Sequence, residues 1–321
     1  MNGAGRICPL SYRYGASALA QAPERQAHIL YVIGGLYGNL PALDAIDALA
    51  GAESGPVTLC FNGDFNWFNV DDKGFNAVNE RVLRHDAILG NIEAELVSNS
   101  SEAGCGCAYP EAVDTGVVER SNAIHARLKR TAARHPALLA KLGGLPMFAR
   151  YRVGDLRVGV VHGDADSLAG WRFDGAELDN TRDSVKDNRW RAAAFAAAGV
   201  DVFASSHTCL PAMRRFPYDD CRLIANNGAA GMPNFSATSF GVLTRIAVRT
   251  SPHQPLYGTP LKRTHIDALP IHYDAQAWHE SFLANWPPGS PAWQSYYRRI
   301  IDGPEYTLNR ASCYELTGET A

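Results

Sequence analysis

Four polar side chains in this sequence are of the types that bind metal ions. They are a carboxylate, a carboxamide and two imidazoles: Asp64, Asn91, His162 and His207. Each stands beside a glycine or a serine at the end of a predicted strand, where other groups can approach closely. Oxygen and imidazole donors suit a first-row divalent cation such as Mn, Fe, Zn or Ni. Taken singly, the aspartate also fits a turn, the asparagine a helix cap and a histidine the protein core.

The segment 28–43, HILYVIGGLYGNLPAL, is the first of the elements that must position these groups. Its apolar, β-branched start predicts a buried strand, its glycines free the turn that follows, and Asn39 before Pro41 predicts a helix start. Further strands are predicted over 57–61, 86–89, 147–153, 156–161, 200–205, 222–225 and 240–248. Because the first strands alternate with helical patterns, they predict a parallel sheet with right-handed crossovers.

Residues 96–146 interrupt this alternation of strands and helices. A polar, glycine-containing loop precedes helical patterns over 117–134 and 136–142, which together predict an inserted helical cap. Caps of this kind often determine substrate choice. The predicted organisation is an irregular N-terminal extension over 1–27, an α/β domain over 28–285 with the cap inserted at about 96–146, and a C-terminal helical extension over 286–321.

The composition is that of a globular protein and argues against several partners. The chain has 321 residues, of which 46% are hydrophobic and 20% charged, with a net charge of -3. Without a basic patch or a long apolar segment, we expect no nucleic-acid partner and no membrane contact. Seven cysteines, an odd number, are typical of reduced thiols, and the N-terminus lacks an apolar signal-peptide core, so we expect a cytoplasmic location. The close pair Cys105 and Cys107 lacks the second pair that a metal site needs, which favours thiols in a loop.

A group of aromatic residues recurs at near-helical spacing towards the C-terminus. It consists of Trp278, Trp286, Trp293, Tyr296 and Tyr297. This pattern favours a core or a self-association surface over a ligand site. A homo-oligomer is therefore one expectation for this chain.

The order of the polar motifs resembles that of the calcineurin-like metallophosphoesterases. That family presents Gly-Asp, Gly-Asn-His-Asp/Glu, His-Gly and Gly-His-Thr-His after successive strands. The corresponding segments here read Gly63-Asp64, Gly90-Asn91-Ile92-Glu93, His162-Gly163 and Ser206-His207-Thr208-Cys209. The turn over 227–233 and the pair Tyr273-Asp274 are similar to further family features, so the resemblance covers about residues 28–285. It implies an α/β fold of two sheets packed as a sandwich and flanked by helices.

The resemblance also implies a metal site that keeps one of the family's two ions. The residues that correspond to the ligands of the second ion are all present: Asp64, Asn91, His162 and His207. The first ion would need unshared ligands at three positions that here carry Gly35, Tyr37 and Cys209. We therefore expect one divalent transition metal per chain, and we expect Asp64, Asn91 and His162 to serve catalysis.

The resemblance leads to three hypotheses about function. The first is a hydrolase with a mononuclear site that acts on a small phosphate-bearing substrate, with altered activity because Ile92 replaces the family's leaving-group histidine and cannot donate a proton. The second is an inactive relative that binds a phosphate-bearing ligand or a protein. The third is non-hydrolytic metal chemistry through Tyr37 and Cys209, since tyrosinate and thiolate are metal ligands. Asp164 is a further candidate contact, as a replacement carboxylate.

Overall fold

The computed structural model describes residues 3–179, 184–218 and 221–312. Its strands are β1 Glu24–Gln26, β2 Ile29–Ile33, β3 Val57–Phe61, β4 Asp86–Ala87, β5 Phe148–Val153, β6 Leu156–Val161, β7 Val202–Ser205, β8 Ala212–Phe216, β9 Arg222–Asn226, β10 Gly241–Ala247, β11 Tyr257–Leu261 and β12 Thr264–Ile271. They form two six-stranded sheets, in the orders β11-β12-β10-β2-β3-β4 and β1-β5-β6-β7-β9-β8.

Helices cover the outer faces of the two sheets. They are α1 Ala16–Gln21, α2 Leu40–Gly51, α3 Asp72–Val82, α4 Asn91–Val97, α5 Thr115–Ala132, α6 Pro136–Gly143, α7 Val185–Ala198, α8 Ala275–Asn285, α9 Pro291–Asp302 and α10 Leu308–Ala311. Helix α2 begins where predicted, because the Asn39 side chain accepts a hydrogen bond of 2.9 Å from the backbone N–H of Ala42. Across the described part of the chain, every helix is too short or too polar to cross a membrane.

The hydrophobic core lies in three layers. Between the sheets, Leu30 and Val32 of β2 share a buried cluster with Val158 and Val160 of β6. The alternate residues of β2 face the opposite way and pack against α2, α3, α5 and α8, while α1 and α7 cover the outer face of the second sheet. Because a strand that is buried on both faces reads as a continuous apolar run, β2 was recognisable in the sequence.

Parallel pairing brings the ends of the site-bearing strands together. Strands β2, β3 and β4 are parallel, with Ile29 opposite Val57 and Cys60 opposite Asp86. In the other sheet, β6 is parallel to β7. The carboxyl ends of parallel neighbours lie at the same edge of a sheet, so the loops after β3, β4, β6 and β7 can meet.

The structure corrects several sequence predictions. Residues 1–27 are not irregular throughout, because they include α1 and β1, and Glu24 of β1 pairs with Arg150. The sequence of β1, Glu-Arg-Gln, is polar and mostly exposed, so it carries no apolar pattern. Strand β4 ends at Ala87, after which the Leu89 N–H donates to the Pro146 carbonyl. Strands β8, β11 and β12 were not predicted.

The segment predicted as a cap contains α5 and α6 close to the predicted bounds. Ile124, Leu128 and Leu142 of these helices belong to the same buried cluster as β2 and β3. The helices are therefore packed into the main core. The division of the chain into extensions, main domain and cap stays a prediction.

Candidate metal centre

The loop after β3 fixes the Asp64 carboxylate. Gly63 and Asp64 both adopt left-handed backbone conformations, with φ of 79° and 55°, and aspartate is among the few residues that tolerate this region. A Cβ at Gly63 would lie 2.4 Å from the Gly90 nitrogen, so the loops after β3 and β4 meet only because this residue is glycine. Asp64 is 6% exposed, and its Oδ1 accepts a 3.1 Å hydrogen bond from the Ile92 N–H. The carboxylate keeps Oδ2 for other contacts.

Glu93 ties these two loops together. Its carboxylate accepts hydrogen bonds from the backbone N–H groups of Asp64, Asn66 and Gly90, at 2.7, 3.2 and 3.3 Å. Burial and the nearby Asp64 charge raise the pKa of Glu93 to about 7. Glu93 is the third residue of α4, the position of the acidic residue in a capping box. This pattern is the sequence feature from which its role could have been recognised.

His162 follows β6 and presents an unprotonated nitrogen to the centre. Its Nδ1 lies 2.7 Å from the Asn62 carbonyl oxygen, which can only accept, so Nδ1 carries the proton. The other nitrogen, Nε2, faces Asp64 Oδ2 at 3.3 Å, Asn91 Oδ1 at 3.1 Å and His207 Nδ1 at 3.2 Å. Lone pairs of atoms from three separate chain segments therefore face His162 Nε2.

The two remaining members are oriented by the loop between α4 and α5. His207 Nε2 donates to the Cys107 carbonyl at 3.0 Å, which leaves its Nδ1 unprotonated. Asn91 Nδ2 donates to the Cys105 carbonyl at 2.9 Å, which directs its Oδ1 inward. Both carbonyls belong to the glycine-rich segment around Cys105 and Cys107, and the Cys107 sulfur also accepts from Asn91 Nδ2 at 3.4 Å.

The resulting arrangement matches a cation site. With neutral histidines, four electron-pair donors face one another and none of them offers a proton, which is repulsive without a positive charge at their centre. The three separations measured from His162 Nε2, 3.1 to 3.3 Å, are close to the roughly 3.4 Å edge of a tetrahedron with ligand bonds of about 2.1 Å. The ligand atoms of Asp64, His162 and His207 all lie within 4.8 Å of one another. These residues therefore fit a divalent metal ion.

The pKa shifts within the cluster also indicate that it favours a positive charge at its centre. Burial works to lower the pKa of His162, but the Asp64 carboxylate outweighs it and raises that pKa above the ordinary value. Burial opposes ionisation of Asp64, yet His162 lowers the pKa of this carboxyl. Burial and the neighbouring His162 lower the pKa of His207 to about 4. The raised pKa means that His162 binds a second proton more readily than a free imidazole does, and a bound dication would compete with that proton.

Tyr37 fills the space where the family's first ion would have a ligand. A Cβ added at Gly35 would lie 2.2 Å from Tyr37 Cζ, so the tyrosine ring occupies the direction of a side chain at position 35. The Tyr37 hydroxyl and the Cys209 thiol share a hydrogen bond of 2.8 Å. Burial raises the pKa of both groups above their ordinary values, which keeps the phenol and the thiol protonated.

Asp164 is not brought to this centre. Its oxygens accept hydrogen bonds from the backbone N–H groups of Asp166, Ser167 and Arg172. It is 4% exposed, and burial raises its pKa. These contacts hold the loop after β6, and the alternative of a replacement carboxylate stays a prediction for this residue.

A cavity of about 130 Å³ opens onto the centre. Its walls are largely aromatic and come from elements far apart in the chain: Trp67, Tyr109, Trp171 and Tyr296. Arg299 of α9 also lines it, together with Tyr37 and Cys209. No local pattern predicts these contacts, because each depends on which loop or helix lies over the strand ends. Tyr296 lines the cavity in addition to packing beside the core, a contact that the aromatic pattern did not reveal.

The fold and centre define a class of two-sheet α/β proteins with a buried acid-imidazole cluster at the strand ends. No family model matches the sequence, and no curated protein does. A metallophosphoesterase from Sphaerobacter thermophilus is similar in structure, with 16% identity and a TM-score of 0.53, over 86% of this chain and 100% of that one. A hypothetical protein from Pyrococcus horikoshii is similar with 14% identity and a TM-score of 0.57, over 87% of this chain and 99% of that one. The chain therefore has the metallophosphoesterase fold, with a far diverged sequence.

Proposed function

We propose that this protein is a metal-dependent hydrolase of phosphate esters that works with one divalent ion per chain. The observation that carries the proposal is the convergence of four electron-pair donors. His162 Nε2 lies 3.1 to 3.3 Å from Asp64 Oδ2, Asn91 Oδ1 and His207 Nδ1. The ion would be Mn, Fe, Zn or Ni, held by Asp64, Asn91, His162 and His207. A bound dication would supply Lewis-acid assistance at a phosphoryl oxygen and would acidify a water molecule.

The protein contributes rigid orientation of its ligands. Asn62 and Cys107 accept the outer N–H groups of His162 and His207, which fixes both tautomers before any ion binds. The Ile92 N–H holds Oδ1 of Asp64, so that Oδ2 is directed to the centre. Such outer contacts raise the affinity for a metal because the ligands do not have to reorganise.

A mononuclear centre is supported by the groups beside it. The Tyr37 ring occupies the space next to Gly35, and the Tyr37 phenol and Cys209 thiol have raised pKa values because they are buried. Either group would have to lose its proton before it could bind an ion, and the raised pKa values oppose that loss, which weighs against both a second ion and metal chemistry through this pair.

The cavity favours small substrates with good leaving groups. Its volume of about 130 Å³ is below the roughly 300 to 1,000 Å³ of pockets for drug-sized ligands. Ile92 lines it and offers no proton to a departing alkoxide. Aryl or other stabilised leaving groups also match its aromatic walls.

The second candidate is an inactive relative that binds a phosphate-bearing ligand or a protein. Ile92 at the leaving-group position and Tyr37 in the place of a metal ligand favour it. Hydrolysis of a phosphate ester distinguishes the two candidates.

Metal content and turnover test the proposal together. We expect about one ion per chain after dialysis, loss of that ion in His162→Ala and His207→Ala, and retention in the control His28→Ala, whose side chain is exposed. The metal-loaded protein should hydrolyse p-nitrophenyl phosphate. Metal binding without turnover of any aryl phosphate, with each of the four metals, would support the inactive relative instead.

A further inference from the structure

Among the described residues that line the metal-centre cavity, Arg299 alone carries a guanidinium or ammonium group. It lies on α9, far from every motif in the sequence. Its Nη2 donates to the Cys209 carbonyl at 2.7 Å and its Nε donates to the Pro233 carbonyl at 3.3 Å. Two backbone carbonyls therefore hold the guanidinium beside Cys209, the residue at the position of a missing metal ligand.

The charge of Arg299 is not neutralised by a carboxylate. Among the described residues it forms no ion pair, whereas the adjacent Arg298 lies 3.8 Å from Asp302. Its Nη1 has no hydrogen-bond partner in that same part of the chain. Arg299, Tyr37 and Cys209 line the same cavity, and the Tyr37 hydroxyl is 2.8 Å from the Cys209 thiol, so the guanidinium lies beside this hydrogen-bonded pair.

We propose that Arg299 forms an anion subsite that binds phosphoryl oxygens on the side of the cavity where the second metal ion is missing. This inference rests on the proposed function and specifies its substrate class. A planar guanidinium binds phosphate oxygens through charge-assisted, frequently bidentate hydrogen bonds, and it remains charged at every working pH. The fixed positive charge of Arg299 thus replaces that of the missing second metal ion in stabilising phosphoryl oxygens.

The charge balance of the cavity points to a phosphate monoester. A dication with the Asp64 carboxylate leaves a net charge of about +1, since Asn91 and the two histidines are neutral ligands. Arg299 raises this total by one positive charge. A phosphate monoester carries about -1.5 to -2 near neutral pH and a diester about -1, so the positive charge that Arg299 adds favours the monoester.

Titration of inorganic phosphate into the Mn-loaded protein at pH 8 tests this subsite by calorimetry. In Arg299→Gln, which keeps an amide donor but loses the charge, we expect the Kd for phosphate to rise at least about tenfold. Arg299→Lys should recover most of the affinity, which a merely structural role would not explain. Arg298→Gln, a change at a 94% exposed neighbour on the same helix, should bind phosphate like the unaltered protein.

The outcomes separate this inference from the proposed function. Metal content should stay at one ion per chain in every variant. Phosphate affinity within about twofold of the unaltered protein in Arg299→Gln, or an equal loss in Arg298→Gln, would overturn the subsite. If the unaltered protein binds no metal, the proposed function fails, and phosphate titration of the metal-free protein still decides: binding abolished by Arg299→Gln supports the subsite, and no binding overturns it.

A second titration tests the substrate class. Dimethyl phosphate, a monoanion, should bind more weakly than inorganic phosphate to the unaltered protein. The preference for inorganic phosphate should shrink at least about fivefold in Arg299→Gln, because the removed charge contributes more to binding a dianion. An unchanged preference would contradict the assignment to monoesters.

Discussion

Gly35 and Tyr37 should be strongly coupled in stability, because the Tyr37 ring occupies the space into which a side chain at position 35 would project. A Cβ added at Gly35 would lie 2.2 Å from Tyr37 Cζ and 2.5 Å from its hydroxyl oxygen. Carbon atoms in favourable contact stand about 3.5 to 4.0 Å apart, so the ring would have to move by more than about 1 Å. Tyr37 is 3% exposed, and dense surroundings resist such a movement.

The expected magnitudes follow from core substitutions of these kinds. Gly35→Ala should lower the free energy of unfolding by about 1 to 3 kcal/mol, the usual cost of overpacking. Tyr37→Ala should cost about 3 to 5 kcal/mol through the lost contacts and the cavity. In the Tyr37→Ala background, however, the added methyl group at position 35 meets no ring. Its cost should then fall below about 0.5 kcal/mol, which gives a coupling energy of about 1 kcal/mol or more.

Urea unfolding of the four proteins in this double-mutant cycle measures the coupling energy. Gly51→Ala is the matched control, because a Cβ there would have no heavy atom within 4 Å. It should show no coupling to Tyr37→Ala. An equal cost of Gly35→Ala with and without the Tyr37 ring would refute the conclusion that this ring takes the place of a metal ligand at position 35.

Three further predictions concern the metal and the reaction. Tyr37→Phe and Cys209→Ser should leave the metal content at one ion per chain, since neither group is needed as a ligand; elemental analysis that gave two ions, reduced to one by either change, would contradict this. Metal affinity should fall as the pH falls through the raised pKa of His162, because the protonated imidazole cannot bind and loading releases a proton; a Kd that is the same at pH 5.5 and pH 8 would count against His162 as a ligand. Rates on a series of phosphate monoesters should drop as the leaving-group pKa rises, and Ile92→His should restore part of the rate on alkyl esters but not on p-nitrophenyl phosphate; equal rates across the series in the unaltered protein would remove Ile92 from this role.

Much of the fold could be predicted because its inner strands have a local signature. Strands β3 and β6 have the predicted bounds, since both are short apolar runs between turn residues. Strand β1 and strands β8, β11 and β12 lack this signature. A polar edge strand such as β1 is specified by pairing with β5, which joins residues about 125 positions apart.

The candidate site was predictable to the extent that its residues follow strand ends. Asp64, Asn91, His162 and His207 were selected by type and order, and the structure brings them together at the strand ends of the two sheets. Whether they bind a metal stays a proposal. Asp164 has the same kind of position, yet its carboxylate is used by three backbone N–H groups of its own loop.

The sequence by itself determined the donors, their order and the absence of carboxylate and imidazole at positions 35 and 37, because residue types and strand patterns are local properties. Only the tertiary structure decided which groups occupy the space of the missing ligands. Tyr37 lies over Gly35 and Arg299 reaches Cys209 from α9, contacts between segments that no local pattern relates. Tautomers, pKa values and the charge of a cavity depend on such contacts, since burial and distance set electrostatic energies.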